Sequence, residues 1–181
     1  MATATGLMTI AEFESLSDDA ARNKELVDGE LVEMPGNLGE HDLLRDFLFV
    51  DMTPAARRVG GHVTTDVLFD FDGEGRAPDL AYLGPAKLAR WERRRRIQPF
   101  VPDLLIEIAG EYDPFQALNA KAKRYIKAGT PEAWLISIQS RELFRLTARG
   151  TTVHGDEEEV STDVLPGFHF RLGDLLDRLE K

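Results

Sequence analysis

Glu107 lies within residues 102–109 (PDLLIEIA), a run apolar enough to form a strand buried on both faces, where an ionised carboxylate is costly unless something compensates it. A metal ion is the expected compensation. A second carboxylate for such an ion is available at Asp79, in the short strand-like run 77–82 (APDLAY) that contains a Pro-Asp pair. Two acids on adjacent strands suggest a metal site. The chain of 181 residues has no cysteine, so thiolate ligation and disulfides are excluded and the donors must be oxygen or imidazole. That set favours a hard cation.

At this length one domain spanning residues 1–181 is expected, with residues 1–24 as an N-terminal arm that carries a short helix. Residues 1–8 show no basic region followed by an apolar core, and no apolar run approaches the ~18 residues of a membrane span. A cytoplasmic protein with no membrane partner is the expectation. The net charge of -10 argues against indiscriminate binding to polyanions, yet the charge is uneven: residues 70–74 and 156–159 are acidic, and residues 90–96 hold five arginines. Cations held by carboxylates would reverse the field locally.

The elements that must position these acids are readable in part. Thr9 and Glu12 form a capping box for a helix over residues 9–16, followed by a polar stretch over 17–24. Residues 25–34 (ELVDGELVEM) place Asp28-Gly29 between apolar pairs, which predicts a two-stranded hairpin. Leu44, Phe47 and Leu48 sit at helical spacing over residues 41–51, and Thr53-Pro54 predicts the stop. The largely alternating pattern over 62–71 predicts a strand, residues 72–75 a turn, and residues 87–96 a short exposed helix. Asp113 as cap, Pro114 at the first helical position, and Gly129 with Pro131 as the stop delimit a helix over 114–128. Its apolar face, Phe115, Leu118, Ala122, Tyr125 and Ile126, should lie on the sheet with Lys121 at the border. Three short strands, 133–138, 142–147 and 151–154, and a helix near Asp174 complete the reading.

Strand, turn, strand, helix with acid, acid and lysine in that order resembles the PD-(D/E)xK nuclease superfamily, and more closely the Uma2 family (DUF820) of restriction-endonuclease-like proteins. The likeness covers residues 9–176. It is carried by residues 25–34, Glu40-His41, Pro78-Asp79, residues 102–107, residues 121–125 (KAKRY), residues 129–134 (GTPEAW) and residues 165–167 (LPG). The resemblance implies an α/β fold with a restriction-endonuclease-like core, a mixed central sheet flanked by helices. It further implies that Asp79 and Glu107 are metal ligands and that Glu25 is the N-terminal acid of the catalytic set. The superfamily places its lysine two residues after the strand acid, where this chain has Ala109; the Uma2 pattern places it on the following helix, at Lys121. An ammonium at the edge of the sheet-facing stripe can lean over the strand that carries Glu107, which supports the same choice. This chain departs from the pattern with Gly110, Ala117 and Ala133.

The chemistry implied is hydrolysis of phosphodiester bonds, with DNA as the expected substrate and Mg2+ or Mn2+ as cofactor. A homodimer would serve the two strands of a duplex. Two other functions fit the same residues: a catalytically degenerate binding or interaction domain of the same fold, and a two-carboxylate glycosidase with acids ~5 to 9.5 Å apart and no metal requirement. Ordinary structural roles compete too. Glu107 could pair with a buried arginine, Asp79 could cap a strand start, and Glu25 could be a simple hairpin residue. His41 is a candidate phosphate contact or a residue satisfying the backbone, and Lys123, on the opposite edge of the helical stripe, is the alternate to Lys121. Asp103 shares a strand face with Glu107 but lies ~13 Å away along an extended chain, so it should cap the strand. The arginine run 93–96 could touch phosphates or be a solvated face.

Overall fold

The computed structural model describes residues 7–34, 36, 38–110 and 114–180. Helix α1 (Ile10–Glu14) begins with the expected capping box, in which Thr9 Oγ1 accepts from the Glu12 amide and the Glu12 carboxylate accepts from the Thr9 amide. A second helix, α2 (Asp18–Ala21), capped by Ser17, lies within the stretch read as polar. This arm is pinned down: Phe13 is buried with Leu26 and Ile97, and Arg96 Nη1 donates to the carbonyls of Phe13, Glu14 and Leu16.

The predicted hairpin forms from β1 (Lys24–Val27) and β2 (Glu30–Glu33), and Asp28 and Gly29 at its tip have φ of 50° and 78°, both left-handed as a type I′ turn requires. Helix α3 (Gly39–Arg58) passes through Thr53-Pro54, where the sequence predicts its end. Pro54 forfeits only the bond to Val50, a residue on the exposed side of the helix, where carbonyls tilt toward water. The strand predicted over 62–71 is two strands, β3 (His62–Thr64) and β4 (Leu68–Phe71), which part at Asp66 and join different sheets. Residues 72–75 are not all turn, since β5 (Glu74–Arg76) starts directly after the left-handed pair Asp72-Gly73.

Next come β6 (Leu80–Leu83), α4 (Pro85–Leu88), β7 (Ile97–Gln98) and β8 (Leu104–Ala109). The helix predicted over 87–96 is therefore confined to four residues and ends before the arginine run. Helix α5 (Phe115–Lys127) follows, with Pro114 at the N-cap position rather than inside; the predicted cap Asp113 is outside the described residues. Strands β9 (Glu132–Ser137), β10 (Glu142–Thr147) and β11 (Gly150–His154) match the three predicted. The ribbon β12 (Glu159–Ser161) and β13 (His169–Arg171) does not announce itself in the sequence; helix α6 (Leu172–Leu176) closes the chain with a short 3-10 turn.

The sheet that carries the acids is mixed and six-stranded, in the order β11-β10-β9-β8-β6-β3, with β8 and β9 parallel and the other pairs antiparallel. A parallel pair needs a crossover, and α5 supplies it. Alternation along β8 sends Leu104, Ile106 and Ile108 to the core under α3 and α6, while Leu105 and Ala109 meet Ala122 and Tyr125 of α5. Glu107 belongs to the α5 row by the same period. A second sheet, β2-β1-β5-β4-β7, brings the hairpin to the edge of this assembly. The fold class is thus the expected one, mixed sheets flanked by helices.

Ile106 is fully buried between Leu80 on β6 and Trp134 on β9. Replacing it with alanine should cost about 2 to 5 kcal/mol, measured as a lower denaturation midpoint in urea with an unchanged slope.

Candidate active site

Antiparallel pairing of β6 with β8 matches Leu80 with Ile106, so one further step along the register sets Asp79 opposite Glu107. Directly opposed side chains on neighbouring strands lie about 4.5 to 5.5 Å apart at Cβ. The Asp79 carboxylate is fixed by two donors: the Ile108 amide at 2.7 Å and His41 Nε2 at 3.2 Å, both to Oδ2. Helix α3 places His41 there with its side chain only 4% exposed. Burial would lower the pKa of this imidazole, but the bond to Asp79 and the charges of Asp79 and Asp42 outweigh that and hold it above the ordinary value.

Glu107 is 3% exposed. Its Oε1 lies 2.9 Å from Lys121 Nζ and accepts from the Tyr125 hydroxyl at 2.8 Å, so the one-turn spacing of Lys121 and Tyr125 on α5 clasps a single carboxylate. Burial pushes the Glu107 pKa up to about 7, with the Asp79 charge adding to the rise and Lys121 and Tyr125 opposing it. Tyr125 is also pushed well up, by burial and by the charges of Glu107 and Glu25, and is therefore a firm hydrogen donor.

Glu25 completes the group. Its Oε1 accepts from the Ala77 amide at 2.9 Å, tying the hairpin to the segment that leads into Pro78-Asp79, and lies 3.7 Å from Lys121 Nζ. Burial opposes the charge on Lys121, yet Glu107, Glu25 and Asp79 overcome it and raise its pKa. One ammonium thus faces three carboxylates.

The structure brings Glu25, His41, Asp79, Glu107 and Lys121 into one cleft of about 560 Å³. Lys123, the alternate, is exposed on α5 and lies outside it. Asp103 is elsewhere too, accepting from the Gly84 amide at 2.7 Å and pairing with Lys87 at 3.0 Å, a local capping role. The sequence reading missed Tyr125 as a polar partner, because its place in an apolar stripe signals packing alone. It also missed Arg45, whose guanidinium reaches Asp42 at 3.3 Å and Asp66 at 3.7 Å on the cleft wall. No local pattern marks that residue.

The donor chemistry suits a hard divalent cation. Glu107 on β8 and Asp79, in the bend just before β6, add to Glu25 an acidic charge that Lys121 alone does not balance. Among the described residues no third Asp, Glu or His converges with them on one point, so an ion here would fill its shell mainly with water and substrate oxygens, as Mg2+ characteristically does.

Because folding favours the neutral form of Glu107, its stabilising contribution is complete below its ordinary value of 4.5 and is lost as pH rises through about 7. In metal-free protein, the stability of wild type relative to Glu107→Gln should fall by on the order of 3 kcal/mol between pH 4.5 and pH 8. Denaturant titrations at the two pH values measure it. An unchanged difference would mean that burial does not govern this carboxylate.

Comparison with known proteins adds the following. The profile of the Uma2 family, described as "Putative restriction endonuclease", matches residues 10–173. The fold is similar to the crystal structure of a putative nuclease belonging to DUF820 from Anabaena variabilis, with a TM-score of 0.82 and 19% identity over 95% of this chain and 99% of that one. No curated protein matches the chain.

Proposed function

Because the chain belongs to the Uma2 family, we propose that it is a metal-dependent endonuclease that hydrolyses phosphodiester bonds, with DNA as its substrate. The observation that carries this reading is the paired Asp79 and Glu107 with Lys121 beside them in one cleft. Asp79 and Glu107 would hold Mg2+ or Mn2+. When bound, such an ion lowers the pKa of a coordinated water and offsets charge developing on the phosphate.

The rest of the chemistry falls to the chain itself. The Ile108 amide and His41 fix the orientation of Asp79, so its carboxylate needs little rearrangement to act as a ligand. Tyr125 and Lys121 do the same for Glu107. Lys121 stays protonated and so carries positive charge into the site, where it can stabilise the phosphate oxygens in the transition state. Glu25 steadies that ammonium from the hairpin side. The cleft is open enough for a sugar-phosphate chain, and two copies of the protein would present a site to each strand of a duplex.

No helix among the described residues is long and apolar enough to cross a membrane. As a nuclease acting on DNA, the protein would work in the cytoplasm.

With Mg2+ or Mn2+ the wild-type protein should nick supercoiled plasmid, and Asp79→Asn or Glu107→Gln should reduce the rate to background. Lys121→Ala should lower it by about 10² to 10³, in line with loss of one preorganised charge donor. Lys123→Ala should leave it within about twofold, the ordinary range for a surface change well below 1 kcal/mol. Wild-type protein that is inert with every divalent metal and nucleic-acid form would instead indicate a binding domain that retains the fold.

A further inference from the structure

Part of the arginine run lines a groove that adjoins the cleft, and the loop that carries it is tied down at several points. A shallow groove of about 360 Å³, lined by Asp66, Trp91, Arg95 and Arg96 among others, shares Asp66 with the wall of the active-site cleft. The loop between α4 and β7 that forms its rim is shaped by one buried side chain. Gln98, 1% exposed, receives the Glu92 amide on Oε1 and donates from Nε2 to the carbonyls of Glu92 and Arg95. Arg96 fastens the far end of the loop to the N-terminal arm.

The charges of this loop are not used up internally. Arg95 pairs with Glu92 at 3.2 Å, Arg96 is committed to the arm and Asp18, and Arg90 lies over the Phe100 ring at 5.3 Å. Arg93 and Arg94 are exposed, and among the described residues neither is paired with a carboxylate. Trp91, two residues before them in the chain, is half-buried against the hydrophobic core and lines the groove. In a chain of net charge -10, a rigid loop that presents unpaired guanidinium groups beside an indole is matched to a polyanion with flat rings.

We propose that this loop is the docking surface for the nucleic-acid strand outside the cleft, with Arg93 and Arg94 on backbone phosphates and Trp91 stacked on an unpaired base. This rests on the nuclease reading only for the class of ligand. Gln98 is a positioning residue for the surface. The groove, whose lining also includes the acids Asp18 and Asp66, meets at Asp66 the cleft where Asp79 and Glu107 lie.

The test is binding of a fluorescein-labelled single-stranded oligonucleotide to the full chain in EDTA, where no hydrolysis occurs. The double variant R93A/R94A should bind about tenfold or more weakly at 0.15 M salt, and its slope of log affinity against log salt should be shallower by about 1.4. Unlabelled oligonucleotide should quench tryptophan emission, and the quench should vanish in Trp91→Phe, since the other tryptophan, Trp134, is fully buried. Affinity and salt slope unchanged in R93A/R94A, or polyglutamate of equal charge competing as well as the oligonucleotide, would overturn the proposal. Wild type that binds in this way yet never cleaves would contradict the nuclease reading alone. Cleavage with binding indifferent to these arginines would contradict the docking surface alone.

Discussion

Lys121 reaches two carboxylates at once, 2.9 Å from Glu107 on the six-stranded sheet and 3.7 Å from Glu25 on the hairpin of the other sheet. Asp79 adds a third negative charge to the surroundings of this one ammonium. Buried charges must be paired, and here one ammonium and the His41 imidazole serve three carboxylates. Burial is the main reason that the Glu107 pKa is high, and the neighbouring Asp79 charge adds to the rise while Lys121 and Tyr125 oppose it. A divalent ion would offset part of the negative charge, and binding it would draw Glu107 back to its ionised form.

The architecture follows from what this cluster requires. Asp79 and Glu107 face each other because β6 and β8 are antiparallel neighbours in register, a constraint on strand pairing rather than on loops. Lys121 and Tyr125 reach Glu107 because the parallel β8–β9 connection has to be a crossover, and α5 returns across the face to which alternation sends Glu107. Glu107 is thus held on β8, and Asp79, in the bend that leads into β6, is held by the Ile108 amide and His41. Glu25 of the hairpin is secured by the Ala77 amide just before Pro78-Asp79. That bond couples the second sheet to the first at the point where chemistry is expected.

The acids were legible in the sequence because the cost of burying them is local information. A glutamate in the middle of PDLLIEIA contradicts its neighbours, and such contradictions mark sites. Both strands and α5 were legible for the same reason, as period and end signals are short-range. Of their partners, Lys121 was legible at the edge of the α5 stripe, but the contacts made by His41 and Tyr125 were not. His41 meets Asp79 only through the packing of α3 on the sheet, and Tyr125 carries both an apolar ring for the core and a hydroxyl for Glu107. Arg45 and Asp66 come together across the cleft from distant segments. Errors in the element boundaries have equally physical causes: α3 tolerates Pro54 on its solvent side, and the apparent strand over 62–71 breaks where Asp66 takes a φ of 55° and sends its two halves to different sheets.

On the nuclease reading, the overall negative charge and a polyanionic substrate would be reconciled by arrangement. Cations collected at the carboxylates and guanidinium groups gathered on the adjoining loop would make the substrate path locally positive, while the remaining surface stays repulsive to nonspecific contact. All of this depends on Asp79 and Glu107 sharing an ion. Crystals soaked in Mn2+ and measured at a wavelength where manganese scatters anomalously would show it most directly. The account requires a peak between the two carboxylates with an oxygen of each as ligand. Manganese bound elsewhere, or none at all while Glu107 keeps its bonds to Lys121 and Tyr125, would contradict it.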